Sequence, residues 1–230
     1  MIQGPTWAGV SGVRVAPDEV EALVGEVRNR VPAEKSLTWW IGPSAEPPDL
    51  ADRLLDLGLQ EPRDRAGVLH ALACDTEPPA GPAEAEVRRV ESRAEFLTLT
   101  EVLWDAFDLP GERRERERPH LERMFEASRR SGVPVSFLAF VDGRPAGGGR
   151  SIYSERGVFL IAGAVAPWAR GRGVYRALVR ARWDDAVARG TPALVTEAMP
   201  DTSYPILKRL GFEDVCTIRR LEDAPDVPRR

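Results

Sequence analysis

Val165-Ala166-Pro167-Trp168-Ala169-Arg170-Gly171-Arg172-Gly173-Val174-Tyr175-Arg176-Ala177-Leu178 is the stretch on which the reading of this chain turns. The run before it, Val158 to Val165, is wholly apolar, as in a strand buried on both faces. The strand leads into a glycine-containing turn, and the turn opens a helix. Glycine lets a backbone come close to a ligand. Unpaired N–H groups at a helix N-terminus point outward and carry partial positive charge. The stretch therefore reads as an anion cradle suited to a diphosphate, with no need of a catalytic lysine or a metal. It is not a phosphate loop of the G-x-x-x-x-G-K-[ST] type. Nor is it a dinucleotide fingerprint, because G-x-G-x-x-G is absent and no acidic residue closes a following strand at the right distance.

Outward from the cradle, strands and helices alternate. Glu86 to Val90 is a short strand. Ser92 and Glu95 form an S-x-x-E capping box, and Phe96, Leu99, Leu103 and Phe107 recur at helical spacing until Pro110-Gly111. Glu112 to Arg118 is a run of both signs, read as a solvated helix or mobile loop laced with ion pairs, or else as a lid over a charged ligand. A helix follows from Pro119 to Arg130, then a strand from Pro134 to Val141. Asp142-Gly143 is a hairpin turn, and Ala146 to Tyr153 is the glycine-rich return strand. After the cradle come a helix from about Gly173 to Arg189, a strand from Ala193 to Glu197, a short helix from Tyr204 to Leu210 and a last strand from Phe212 to Arg219. This is an α/β chain with one mixed sheet and helices on its faces.

Composition sets the limits. At roughly 150 residues per domain, 230 residues make about one and a half domains. The contents, 43% hydrophobic and 30% charged, are those of an ordinary globular protein. No apolar run approaches the roughly 18 residues needed to span a bilayer, and Met1-Ile2-Gln3-Gly4-Pro5 lacks the basic and apolar parts of a signal peptide. A cytoplasmic location with no membrane partner is expected. A net charge of −4 argues against a dedicated nucleic-acid partner. Cys74 and Cys216 offer no disulfide framework, and with only His70 and His120 no metal is expected. Lys35 and Lys208 are the only lysines among 32 basic residues. That arginine bias reads as coding-sequence composition, so no arginine acquires a role merely by being there.

The cradle resembles motif A of the GNAT superfamily of N-acetyltransferases, in which V-x-P precedes a short loop and [QR]-x-x-G-x-[GA]. Val165 and Pro167 match the first part, and Arg170 and Gly173 the second. Leu210-Gly211-Phe212 resembles the helix end that precedes the last strand of that family, and the element order is similar from Glu86 to Arg219. The resemblance implies the GNAT acyltransferase fold with acetyl-CoA as cosubstrate. Its diphosphate would lie on the N–H groups of Arg170, Gly171, Arg172, Gly173, Val174 and Tyr175. Its pantetheine arm would follow the edge of the Phe159–Val165 strand where the Ala193–Glu197 strand splays away. Val165 N–H would meet the thioester carbonyl. The sequence departs from the family at Tyr175, where a small residue is usual, so either that side chain points away from the diphosphate or the loop differs locally. The family's frequent tyrosine before the G-F pair is Leu207 here, and an asparagine often found before it is Pro200.

The implied activity is acetyl transfer to the amine of a small-molecule acceptor by direct attack; the alternative is an acetyl-CoA or metabolite-binding protein without turnover. Glu197, at the end of a strand beside the expected cleft, is a candidate general base, or else a solvated or salt-bridged strand end. Tyr204, one turn before Leu207, is a candidate acid or acceptor contact, or else a packing residue. His120 reads as a surface residue, His70 as structural, the cysteines as small buried side chains, and Trp168 as packing with the option of touching the ligand.

Residues 76–84 form a proline-rich linker. The expected organisation is an N-terminal segment 1–75, the linker, an acetyltransferase-like domain 85–221 and a flexible tail 222–230. In the N-terminal segment, Ser36 to Ile41 is a strand, Leu50, Leu54 and Leu57 mark a helix ended by Gly58, and Gly67 to Cys74 is a strand. Leu54-x-x-Leu57-Gly58-Leu59 matches Leu207-x-x-Leu210-Gly211-Phe212. The segment therefore reads as a degenerate half-repeat without the diphosphate loop. It would shape the acceptor pocket or stand in for a dimer partner, leaving the protein monomeric or homodimeric.

Overall fold

The computed structural model describes residues 1–62 and 67–223. Chain order begins with β1 (Ile2–Gln3), β2 (Trp7–Ser11), α1 (Val20–Arg30), β3 (Ser36–Ile41), α2 (Leu50–Asp56), β4 (Leu59–Gln60) and β5 (Val68–Cys74). It continues with β6 (Ala85–Arg89), α3 (Arg93–Ala106), α4 (Gly111–Glu117), α5 (Leu121–Ser131), β7 (Val135–Val141), β8 (Arg144–Ser154) and β9 (Gly157–Val165). It closes with α6 (Val174–Ala188), β10 (Leu194–Ala198), α7 (Ser203–Arg209) and β11 (Glu213–Asp223). Two compact units result. The first comprises Met1–Ala71, Ala198–Pro205 and the chain from Asp214 on; the second comprises Leu72–Glu197 and Ile206–Glu213. The irregular stretch 76–84 thus belongs to the second unit, and nearly all of the last strand to the first. No helix among the described residues is long and apolar enough to cross a membrane.

The second unit is a mixed sheet in the order β10-β9-β8-β7-β6, with β9 and β10 parallel and the other neighbours antiparallel. Alternation along β7 sends Val135, Phe137, Ala139 and Val141 against Val174 and Leu178 of α6, and Leu138 against Leu99 and Leu103 of α3. Helices thus cover both faces. The capping box opens α3: Ser92 Oγ accepts from Glu95 N–H (3.2 Å), and Glu95 Oε2 accepts from the Ser92 N–H (3.1 Å). Asp142 and Gly143 take the positive φ values, 52° and 72°, of a tight hairpin. The charged run forms α4. Arg114 donates to Asp105 (2.7 Å) and to the carbonyls of Leu109 and Trp104, and Arg118 donates to Glu101 (2.8 Å). These bonds pin the helix to α3, as the ion-paired helix reading expects.

The first unit runs β1-β2-β3-β11 followed by β5, with β4 on β11. Strands β2 and β3 are parallel, joined through α1, whose Val20, Val24 and Val27 are buried. Around them pack Val10, Leu37, Trp39, Leu50, Leu54 and Leu221. The N-terminal extension is therefore larger than a strand–helix–strand piece, because β2 and α1 precede it. Gly58 and Gly211 have φ of 88° and 92°, and each donates its N–H to the carbonyl three residues back.

A flexible tail from residue 222 does not describe Glu222 and Asp223; the remainder, 224–230, lies outside the described residues. Strand β11 extends to Asp223 because Arg219 to Glu222 pair with Ile41 to Thr38, while Glu222 and Asp223 pair with Gln60 and Leu59. Asp223 is also the buried counter-ion of Arg28 (2.7 Å). Polar residues there are stabilised by partners brought from afar, which local polarity does not register.

Candidate functional site

The site in the second unit is built on β9. Its parallel register with β10 runs from Val158↔Leu194 to Leu160↔Thr196, where the Thr196 hydroxyl donates to the Leu160 carbonyl (2.9 Å). Beyond that point, no β10 partner is found for β9 among the described residues. The ladder with β8 also breaks there: Arg150 faces Ile161 and Gly148 faces Ala164, so Ala162 and Gly163 together oppose Gly149. This is a β-bulge. Ala162 adopts φ of 49°, a left-handed conformation that costs a residue with a Cβ about 1 kcal/mol or more. Past the bulge, Ala166 donates its N–H to Ala146 O on β8 (2.8 Å). By alternation, Val165 turns its own N–H toward the opposite edge of β9. That is the edge on which β10 pairing has ended.

The chain then makes a 3-10 turn, Pro167–Ala169, and a glycine turn with φ of 79° at Gly171 and 73° at Gly173. Arg170 and Arg172 N–H groups make long turn bonds of 3.4 Å. The N–H groups of Gly171, Gly173, Val174, Tyr175 and Arg176 meet no acceptor among the described residues. No acidic side chain occupies the first turn of α6. A set of open donors on a positive helix end fits a diphosphate.

The arginine side chains of this loop have structural work. Arg170 donates to Ala106 O at the end of α3 (3.1 Å), and Arg172 donates to Asp142 (3.0 Å). Arg144 and Arg172 lie over the Trp168 ring, 4.2 and 5.9 Å from its centroid. The loop is thus held open by its own side chains, leaving its backbone for a ligand. Trp168 also borders a cavity of about 470 Å³ whose lining mixes Glu101, Asp105 and Arg144. Its acidic groups suit an anion less well than the cradle does.

Tyr175 turns inward, the first of its two alternatives. A Cβ on Gly163 would lie 3.2 Å from its ring, so the absence of a side chain there makes room for it. Burial pushes the Tyr175 hydroxyl pKa up, with the Arg182 guanidinium opposing the shift. Arg182 is 1% exposed, and its Nε donates to Leu178 O (2.9 Å). Burial lowers its pKa, and Tyr175 pulls the other way.

The remaining candidates are distributed. Glu197 is half-buried on β10, two residues after the exposed Val195, on the same face of the sheet. Tyr204 belongs to the first unit. Its ring lies 4.2 Å from that of His70, and its hydroxyl donates to Asp214 (3.3 Å), which also faces His70 Nδ1 (3.7 Å). His70 thus stands in a polar cluster with Tyr204 and Asp214. His120 contacts Arg123 through Nδ1 (3.0 Å). Leu207 is fully buried, so its position faces core. Cys74 is buried and donates to Thr76 O (3.2 Å). The structure thus gathers Val165 and the 170–175 turn into one site. The bulge at Ala162-Gly163 and the inward Arg182 lie outside the sequence expectations. For Arg182 the sequence signal is Gly149, whose missing side chain leaves that face of β8 open to the guanidinium; the bulge has no such signal.

A model of the acetyltransferase (GNAT) family matches residues 96–212, more than half of the chain and including the bulge and the cradle. No curated protein matches the chain. Among solved structures, the chain is similar to a GCN5-related N-acetyltransferase from Kribbella flavida. Identity is 19% and the TM-score 0.70, with 96% of this chain and 83% of that one covered. It is similar to a functionally unknown conserved protein from Staphylococcus epidermidis ATCC 12228, at 14% identity and a TM-score of 0.66, covering 93% and 83%. It is also similar to a tandem GNAT protein from the clavulanic acid biosynthesis pathway, at 17% identity and a TM-score of 0.62, covering 88% and 68%. At such identities the likeness is one of fold.

Proposed function

Because the chain belongs to the acetyltransferase (GNAT) family, we propose that it transfers the acetyl group of acetyl-CoA to the amine of a small-molecule acceptor by direct attack. The observation that carries this reading is the conjunction of the bulged, unpaired end of β9 with a turn whose N–H groups lack acceptors. The N–H groups of Gly171, Gly173, Val174 and Tyr175 would hold the diphosphate. The edge of β9 would hold the pantetheine arm as an added strand, and acetyl-CoA itself supplies an activated thioester.

Val165 N–H is proposed to polarise the thioester carbonyl. Glu197 is proposed to take the proton that the amine gives up as its nitrogen bonds the acetyl carbon and the carbon–sulfur bond breaks. Tyr204 is proposed to return a proton to the departing sulfur. That role rests on its place in α7, one turn before the position where the family has its tyrosine.

A second reading, acetyl-CoA binding without turnover, is favoured by Leu207, which puts a buried aliphatic side chain at that position. Thiol release with a panel of amines decides between them. Under the first reading, Glu197→Gln lowers kcat about a hundredfold with acetyl-CoA affinity unchanged. Binding by calorimetry without thiol release from any amine supports the second.

We also propose that the N-terminal segment, residues 1–75, is a half-copy of the same fold. Val15-Ala16-Pro17 before α1 repeats Val165-Ala166-Pro167 before α6, and β2 and β3 are parallel as β9 and β10 are.

A further inference from the structure

Alternation along β8 separates its side chains by face. A Cβ at Gly147 would meet Val174 of α6 and one at Gly149 would meet Arg182, whereas one at Gly148 would meet Leu99 of α3. Arg150, the next residue, therefore stands on the α3 face. Its guanidinium lies 5.9 Å from the Phe96 ring centroid. Arg150 pairs across the ladder with Ile161, immediately before the bulge.

The parallel register of β9 and β10, continued one step past Leu160↔Thr196, brings Glu197 level with Ile161. Arg150, Ile161 and Glu197 thus form a row across three neighbouring strands on one face. At the spacing of sheet strands, the backbones of the outer two are about 10 Å apart.

Arg150 is half-buried and makes no hydrogen bond or ion pair among the described residues. Burial lowers its pKa, and Glu117 of α4 opposes the shift. The oxygens of Glu117 already accept from Trp104 Nε1 (3.2 Å) and Arg113 Nε (3.3 Å). Neighbouring arginines differ: Arg93, Arg114 and Arg118 each hold a carboxylate. A guanidinium partly withdrawn from water, with its fork of donors open, is a receptor for a planar anion.

We propose that Arg150 receives a carboxylate of the acceptor, so that the substrates are amines that also carry a carboxylate group. The inference rests on the N-acetyltransferase reading and narrows it. The carboxylate binds at the β8 end of the row, and the amine lies toward Glu197, beside the bulge.

The test uses pairs of acceptors that differ only in the carboxylate: amino acids against their amides and against the corresponding decarboxylated amines. The wild-type protein is expected to favour the carboxylated member of a pair about ten- to a hundredfold in kcat/KM. Arg150→Met brings that ratio toward one, and Arg150→Lys keeps part of it, since charge remains but the fork is lost. Acetyl-CoA affinity, measured by calorimetry, shows that both variants are folded. A wild-type ratio near one, or an equal fall for both members of a pair in Arg150→Met, overturns the proposal. If no amine is acetylated, the transferase reading fails on its own. The same pairs are then titrated into CoA-saturated protein: carboxylate-dependent binding lost in Arg150→Met supports the assignment, and its absence overturns it.

Discussion

Asp223 is 1% exposed in its side chain and is gripped by Arg28 through Nε and a terminal nitrogen, which also reaches Leu57 O. Removing one member of a buried pair strands the other, so Asp223→Ala should cost about 3 kcal/mol by urea denaturation. Replacing both by apolar residues should recover much of that loss. Glu95 makes a pH prediction. The N–H groups of Glu91 and Ser92 hold its carboxyl below the usual carboxylate range. Its folded pKa lies below its unfolded one, so the stability it adds is present above the unfolded pKa. It is lost as pH falls through the folded value. Denaturation midpoints across the acid range should therefore vary less steeply in Glu95→Gln. At this scale the sequence was partly legible. The inward turn of Tyr175 is one of the two alternatives that a bulky residue at the first turn of α6 leaves open. The αL conformation of Ala162 does not follow from its identity, because alanine carries no mark of a bulge.

Among the elements, the cradle is the most exacting. Gly173 has φ of 73°, and a Cβ there would lie 3.0 Å from Pro82. Gly173→Ala should distort the turn that aims the donors and weaken acetyl-CoA binding about tenfold by calorimetry. The elements of the second unit could be read in advance because apolar period, capping box and turn residues agree locally. Strand β2 and helix α1 were harder to see. Trp7 and Ser11 are exposed at the ends of β2, and the acidic start of α1 resembles a loop. Yet Val20, Leu23, Val24, Val27 and Val31 carry helical spacing that was there to find. The last four residues of β11 are legible only in three dimensions, through partners on β3 and β4.

For the whole molecule, the two helix entries that follow Val-Ala-Pro differ in charge. At α1 the chain passes directly through Pro17–Glu19, and Glu19 Oε2 accepts from Ala16 N–H (2.9 Å). That turn already carries two carboxylates of its own, Asp18 and Glu19. At α6 the equivalent donors are open. Calorimetry should therefore find one acetyl-CoA per chain, and a stoichiometry of two would contradict the assignment of residues 1–75 as a half-copy without a cradle. The proline-rich stretch 76–84 bears on how the protein may be cut. Arg180 of α6 pairs with Glu77 (2.6 Å) and donates to Pro78 O (3.3 Å), Gly81 lies against Ala177, and Pro82 abuts Gly173. What reads as a spacer is a splint along α6. A fragment prepared for complementation, or a circular permutant opened in this region, must therefore begin ahead of Glu77. One that begins at Ala85 would leave α6 bare along one side.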